Sequence, residues 1–181
     1  TSGVGLQPLR FGIFDAWRPV SVQSFMVSHA IEQECARQGI DPEDSEQLNR
    51  LESVRSEVAR FWAPPSSDFS IPPPHSTGAA VDLTLIDAKG NPLDMGGEID
   101  AIGPESLPLH HEKAAVDQPD GTAALFHSRR CLLHCVMIKA GFVRHPNEWW
   151  HFSFGDQLWA WTVNADCAIY GRDLTLFSLE P

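Results

Sequence analysis

Apolar residues recur along this chain with two different periods, which predict helices in some segments and strands in others. Amphipathic helices are predicted between Ser21 and Gly39, between Asp41 and Pro64, and from Thr122 to Ala140. Short apolar runs predict strands at 11–14, 81–86, 142–143 and 149–154, the first of them buried. Residues 90–121 are rich in Gly, Pro and acidic residues, which predicts a long functional loop. The alternation favours one mixed α+β domain over residues 1–181.

The charge balance narrows the choice of partners. The 181 residues include 13 Lys and Arg against 24 Asp and Glu, a net charge of −11 at pH 7. So acidic a chain is a poor candidate for binding a nucleic-acid backbone or an anionic membrane, and we expect neither partner. No apolar run approaches the ~20 residues of a transmembrane helix. Cys131 and Cys135, four residues apart, are interpreted as small buried apolar residues rather than as zinc ligands.

One segment, Pro73–Asp82, carries two residues suited to a metal centre. His75 and Asp82 are seven positions apart and would lie ~23 Å from each other in an extended chain. Ligands of one ion must approach within a few Å, so the chain has to fold back between them. Gly78 can adopt the positive φ that such a reversal requires. We therefore expect His75 and Asp82 to meet at a zinc ion.

A second segment, Asn147–Phe152, places one carboxylate and one imidazole among aromatic residues. Glu148 and His151 are three apart and would point to opposite faces of a regular strand. A bend after Glu148, favoured by Pro146 and Asn147, would direct both into one cleft. His151 is then the third zinc ligand, and Glu148 is the general base that takes a proton from the attacking water.

Each of these residues also has an ordinary structural interpretation. A lone His in a Pro-rich loop is usually exposed, and a His beside Trp150 is usually a packed ring. The combination favours the metal hypothesis, because an acid kept among three aromatic side chains costs free energy unless it has a partner or a role.

A third segment, Asp15–Pro19, places Arg18 between a predicted strand and a proline. A guanidinium held in a cleft can stabilise a developing oxyanion. An ion pair with Asp15 or another acid explains Arg18 equally well from the sequence alone.

The three segments together resemble the D-alanyl-D-alanine dipeptidases, a branch of the zinc D-Ala-D-Ala peptidases related in fold to the Hedgehog signalling domain. The first family pattern is SxHxxGxAxD, and four of its positions are matched: His75, Gly78, Ala80 and Asp82. The second pattern, ExxH, is matched at Glu148–His151. Asp15–Pro19 and Leu93–Gly96 are similar to two further segments of this branch, and the resemblance spans about residues 11–155.

The resemblance implies a small α+β fold with a central antiparallel sheet flanked by helices. It implies one zinc ion, bound by His75, Asp82 and His151. It implies Glu148 as the catalytic base and Arg18 as the group that stabilises the tetrahedral intermediate. The implied reaction is hydrolysis of D-Ala-D-Ala or a related small dipeptide.

The resemblance also implies substrate-binding residues. In the family, an acid after the Met-Gly pair holds the substrate's free amino group; Asp100 is the better match and Glu98 competes with it. Asp15 is expected to contribute to substrate binding. A carboxylate at the amino group would exclude longer chains and make the enzyme a dipeptidase.

The sequence departs from the family pattern in three places. Pro73 stands where the pattern has Ser, which could weaken or change specificity. The loop 97–120 has its own sequence, and its His110 and His111 are expected to be exposed rather than a second metal site. Family members usually carry more chain before the first motif, so an N-terminal part of the domain is expected either to be missing or to be carried elsewhere.

Two other functions stay open. One is a zinc D,D- or L,D-carboxypeptidase or endopeptidase acting on peptidoglycan stem peptides, which an open cleft would favour. The other is a non-catalytic Hedgehog-like zinc-binding module, against which Glu148 argues because a structural zinc site needs no base. We expect a cytoplasmic protein that binds a small dipeptide, and leave a periplasmic location and homo-oligomer formation open.

Overall fold

The structure is a computed structural model that describes residues 8–172. The described residues form four strands and five α-helices, the mixed α+β composition that the sequence predicts. The strands are β1 Arg10–Asp15, β2 Ala80–Ile86, β3 Val143–Arg144 and β4 His151–Ser153. The helices are α1 Val20–Gln38, α2 Leu48–Val58, α3 Glu112–Asp117, α4 Thr122–Lys139 and α5 Gln157–Thr162.

The chain divides into two compact units. The first takes in the described residues up to Ala16 together with Ala80–Phe154, and the second takes in Trp17–Ala79 and the described residues from Gly155 onward. The single domain over residues 1–181 stays a prediction. None of the helices in the described part of the chain is both long enough and apolar enough to cross a membrane.

An antiparallel sheet of strand order β1-β2-β4-β3 forms the centre of the first unit. Side chains alternate between the two faces of a strand. Leu83 and Leu85 of β2 lie on one face, where they belong to a buried cluster with Leu133 and Met137 of α4. Asp82 is next to Leu83 in β2, so its side chain lies on the opposite face. Burial of Leu83 and Leu85 therefore fixes the face of β2 from which the carboxylate of Asp82 projects.

A buried arginine on α4 holds the loop that follows β2. Arg130 is only 2% exposed, and it donates to the backbone carbonyls of Met95, Leu107 and Glu105 at 2.7, 2.9 and 2.9 Å. Its guanidinium lies 5.1 Å from the ring centroid of Trp149. Burial lowers the pKa of Arg130 to about 10, so the side chain stays charged at neutral pH.

Replacing this arginine is expected to destabilise the protein. Arg130→Met keeps an apolar stem of similar length but leaves three carbonyls without their donor, which should lower the free energy of unfolding by about 3 kcal/mol or more. The loss in free energy of unfolding is measured by urea denaturation, with circular dichroism as the signal. Arg129→Met is the matched control, because Arg129 is less buried and donates to a single carbonyl, that of Asp94. Equal losses in the two variants would contradict the role assigned to Arg130.

The second unit contains α1, α2 and α5. The 3-and-4 spacing predicts an apolar stripe of Leu48, Leu51, Val54, Val58 and Phe61. Leu51, Val54 and Val58 are buried on α2, whereas Leu48 is exposed and Phe61, after the helix, is partly buried. The helix begins at Leu48 rather than at Pro42, because the carboxylates of Asp41 and Asp44 accept hydrogen bonds from nearby backbone N–H groups and form turns first.

Several predictions of burial are wrong. The apolar strand β1 is largely exposed, with Ile13 and Phe14 each 61% exposed. Cys131 and Cys135 are exposed rather than buried. The spacing on α4 predicts that Leu125, Leu132, Leu133, Val136 and Met137 point inward. Leu133 and Met137 are buried, but Leu125, Leu132 and Val136 are exposed. The loop predicted over 90–121 contains α3 and a short 3-10 turn at Pro104–Ser106.

Candidate metal centre

The first predicted segment folds back on itself, as its glycine suggests. His75 lies in a 3-10 turn at Pro74–Thr77, whose first backbone contact runs from Ser76 N–H to the carbonyl of Pro73. Gly78 ends the turn with φ of 70° and donates its N–H to the carbonyl of His75 at 3.1 Å. Because a positive φ is strained for other residues, glycine allows β2 to begin within two residues of the turn.

The second predicted segment bends before its strand. Residues 149–150 form a bend, and β4 starts only at His151, which pairs with Asp82 of β2. Nδ1 of His151 lies 3.0 Å from Oδ1 of Asp82 and 3.5 Å from Oε2 of Glu148. The bend thus brings Glu148 and His151 together, as the sequence predicts.

Three buried side chains converge into one group. The potential ligand atoms of His75, Asp82 and His151 all lie within 4.8 Å of one another. Within residues 8–172, no other set of three His, Cys, Asp or Glu side chains is arranged in this way. Two imidazole nitrogens and one carboxylate oxygen form a donor set that suits Zn²⁺ and leaves a fourth position for water or substrate. The residues present therefore fit the metal that the sequence suggests.

Neighbouring side chains orient this group. Nε2 of His151 lies 3.3 Å from Oγ of Ser153, so Nδ1 is the nitrogen on the side of Asp82. A contact of this kind at the second nitrogen fixes the ring of a ligating histidine. The ring of His145 lies 5.4 Å from that of His151, and its Nδ1 lies 3.6 Å from Oε1 of Glu148.

His145 is the neighbour that sequence reasoning missed. The sequence carries one signal for it: besides His75 and His151 there is a third imidazole, six residues before His151. Burial lowers the pKa of His145 to about 3, with the nearby His151 contributing in the same direction. The ring is therefore neutral near pH 7 and does not neutralise the charge of Glu148.

Arg18 is held in place by the turn that carries His75. Its side chain is 4% exposed. Its backbone N–H donates to the carbonyl of His75 at 3.1 Å, and Oγ of Ser76 donates to the carbonyl of Arg18 at 2.9 Å. The guanidinium donates to Gln23 at 2.7 Å and lies 5.4 Å from the ring of Trp62. Because its guanidinium is buried, Arg18 differs from the arginines of exposed ion pairs, which are common on protein surfaces.

The predicted substrate-binding acids lie outside the group of three. Asp15 ends β1 and pairs in register with Asp82, after an irregularity that follows Ile13. Asp100 has φ of 66°, a left-handed conformation that is uncommon for a residue other than glycine. Glu98 is exposed and lines a cavity beside the sheet.

The two adjacent histidines of the loop differ from each other. His110 is exposed, as expected, whereas His111 is partly buried against Phe126, with 5.1 Å between ring centroids. Nε2 of His111 lies 2.8 Å from the carbonyl oxygen of Gly96. Gly96 has φ of 74°, and a Cβ there would lie 2.3 Å from both His111 and Phe126. His111 is thus a packing partner of the Met95–Gly96 segment.

Comparisons with known proteins identify the family of this chain. The family model described as D-ala-D-ala dipeptidase, Peptidase M15, matches residues 9–169. A D-alanyl-D-alanine dipeptidase of Synechocystis is 44% identical over 173 residues, which cover 88% of this chain and 68% of that protein. A D-alanyl-D-alanine dipeptidase of Escherichia coli K12 is 39% identical over 85 residues, which cover 47% of this chain and 39% of that protein. The resemblance of the sequence motifs is thereby confirmed: the chain belongs to the D-Ala-D-Ala dipeptidase family Peptidase M15, a family of metallopeptidases.

Proposed function

We propose that this protein is a zinc-dependent dipeptidase that hydrolyses D-Ala-D-Ala or a related small dipeptide. One observation carries the proposal. The buried group of His75, Asp82 and His151 has the carboxylate of Glu148 beside it, 3.5 Å from His151, in a chain of the D-Ala-D-Ala dipeptidase family. A purely structural zinc site would have no use for the additional carboxylate.

His75, Asp82 and His151 would hold the metal. When bound, zinc would supply Lewis-acid chemistry, polarising the scissile carbonyl and making water more acidic. The contact of Ser153 with Nε2 of His151 keeps Nδ1 directed at the centre. The cluster of leucines behind β2 fixes the direction of Asp82. The chain thus supplies the ligands in a fixed orientation.

Glu148 would act as general base. Its side chain is 7% exposed, so few solvent molecules would compete with the attacking water for its oxygens. Glu148 would take a proton from the attacking water and then deliver it to the amine that leaves when the peptide bond breaks. The neutral His145 beside it supplies no competing charge.

Arg18 and the acids would act on the substrate. The buried guanidinium of Arg18 would stabilise negative charge that develops on the carbonyl oxygen. Asp100 would pair with the free amino group of the dipeptide, and Asp15 would contribute from its position opposite Asp82. The strained φ of Asp100 supports a functional role, because such conformations cluster at binding sites.

The proposal is tested by metal analysis combined with a hydrolysis assay on D-Ala-D-Ala. We expect about one zinc ion per chain, loss of hydrolysis after treatment with a chelator, and recovery with Zn²⁺ but not with Mg²⁺. Full hydrolysis by protein stripped of metal would contradict the proposal. A panel of D-Ala-D-Ala, a tripeptide and a pentapeptide stem tests the substrate class, and cleavage of the pentapeptide in preference to the dipeptide would favour a carboxypeptidase.

A further inference from the structure

An imidazole and a thiol lie side by side on helix α4, and none of the proposed catalytic steps uses them. His127 and Cys131 are four positions apart, so their side chains are neighbours on one face of the helix. Nε2 of His127 lies 3.4 Å from Sγ of Cys131. Cys131 is exposed and His127 is partly buried, so solvent reaches the thiol.

The distance between these two atoms is the one that a tetrahedral metal ion requires of its ligands. Zinc bonds of about 2.3 Å to sulfur and about 2.0 Å to nitrogen, set at the tetrahedral angle, place the two donor atoms about 3.5 Å apart. The 3.4 Å between Nε2 of His127 and Sγ of Cys131 agrees with this value. Both side chains could therefore bind one ion without a change in the helix backbone.

The charges around the thiol favour a cation. Burial raises the pKa of Cys131, and the nearby thiol of Cys135 and carboxylate of Glu112 act in the same direction, against the opposite effect of Arg144. The thiol therefore keeps its proton near pH 7 in the absence of a metal. A divalent cation would displace that proton, and the acidic groups that raise the pKa would stabilise the cation.

We propose that His127 and Cys131 form a second metal site, which binds divalent cations that accept thiolate and imidazole ligands, such as Zn²⁺, Co²⁺ and Cd²⁺. Mg²⁺ and Ca²⁺ prefer oxygen ligands and would not bind there. Water would complete the coordination, since Cys131 is exposed. With two protein donors, this site is weaker than the group of His75, Asp82 and His151. Dialysis would empty it and leave the zinc ion expected at that group.

The test titrates the dialysed, zinc-loaded protein with Co²⁺ under reducing conditions, because Co²⁺ resembles Zn²⁺ in coordination and is visible by absorption spectroscopy. A thiolate bound to Co²⁺ gives a charge-transfer band in the near ultraviolet. His75, Asp82 and His151 contain no sulfur, so this band reports on a cysteine and not on the candidate metal centre. We expect the band to rise to a plateau at about one added Co²⁺ per chain.

Single variants decide whether the two side chains act together. Cys131→Ser should abolish the band, and His127→Ala should raise the Kd for Co²⁺ about tenfold or more. Cys167→Ser is the matched control and should change neither, because Cys167 is also exposed but has Val163 four positions before it.

Three results would overturn the second site: no band at saturating Co²⁺, a band that survives Cys131→Ser, or a Kd that His127→Ala leaves unchanged. The contact between His127 and Cys131 would then be an S–H···N hydrogen bond only. The band does not depend on catalysis, so this test and the test of the dipeptidase function can fail separately. Hydrolysis of D-Ala-D-Ala should be unchanged in Cys131→Ser and in His127→Ala.

Discussion

Glu148→Gln is expected to reduce kcat for D-Ala-D-Ala by about 10³-fold while leaving the zinc content unchanged. Glutamine has nearly the size and shape of glutamate but cannot accept the proton from the attacking water. Glu148 lies outside the group of three potential ligands, so the substitution removes no metal donor. Initial-rate kinetics and elemental analysis of the same preparation measure both quantities.

A matched variant separates this effect from a general loss of negative charge. Glu112→Gln alters an exposed acid at the start of α3 and should leave kcat within about twofold. Hydrolysis by Glu148→Gln at the native rate would show that another group acts as the base. A parallel loss of zinc would instead place Glu148 among the metal ligands.

Asp82→Asn should weaken zinc binding by more than about 100-fold and abolish hydrolysis at stoichiometric zinc. The amide keeps the shape of the carboxylate but is neutral and a poor zinc donor, and it lies at the strand position paired with His151. Titration with zinc against a competing chelator measures the affinity. Because Asp82 is 2% exposed, circular dichroism should accompany the titration to show that the variant is folded.

Asp87→Asn is the control for this variant. Asp87 follows β2 directly, and its carboxylate accepts hydrogen bonds from the backbone N–H groups of Lys89 and Asn91 in the exposed turn. The substitution should leave zinc affinity unchanged, although it can weaken the turn. Native zinc affinity in folded Asp82→Asn would refute the ligand set.

The parts of the site that the sequence predicts depend on local chemistry. The reversal at Gly78 follows from the conformational freedom of one residue between His75 and β2. The bend before His151 follows from the turn residues Pro146 and Asn147, which end the preceding segment. Such features are determined within a few residues, so a single sequence suffices to infer them.

The parts that the sequence does not predict depend on distant contacts. Arg130 is polar, yet it is buried because its donors meet carbonyls of a loop more than 20 residues away in the chain. Leu132 and Val136 are apolar, yet they lie on the exposed side of the same helix. Periodicity identifies α4 as a helix, but the residues packed against it decide which face is buried. His145 belongs to the same category, since only the fold places its ring beside His151.

The ladder between β2 and β4 has a consequence for insertions and deletions. Asp82 faces His151 because the two strands pair in one register over Ala80–Asp82. Removing a single residue from this stretch would shift the alternation and turn the carboxylate toward Leu133, with the leucines exchanged to the other side. The turn at 87–91 lies outside this ladder, although Ile86 and Pro92 pair across it. Changes of length in that turn are thus expected to leave Asp82 opposite His151, while one codon lost before Asp82 would disrupt the candidate metal centre.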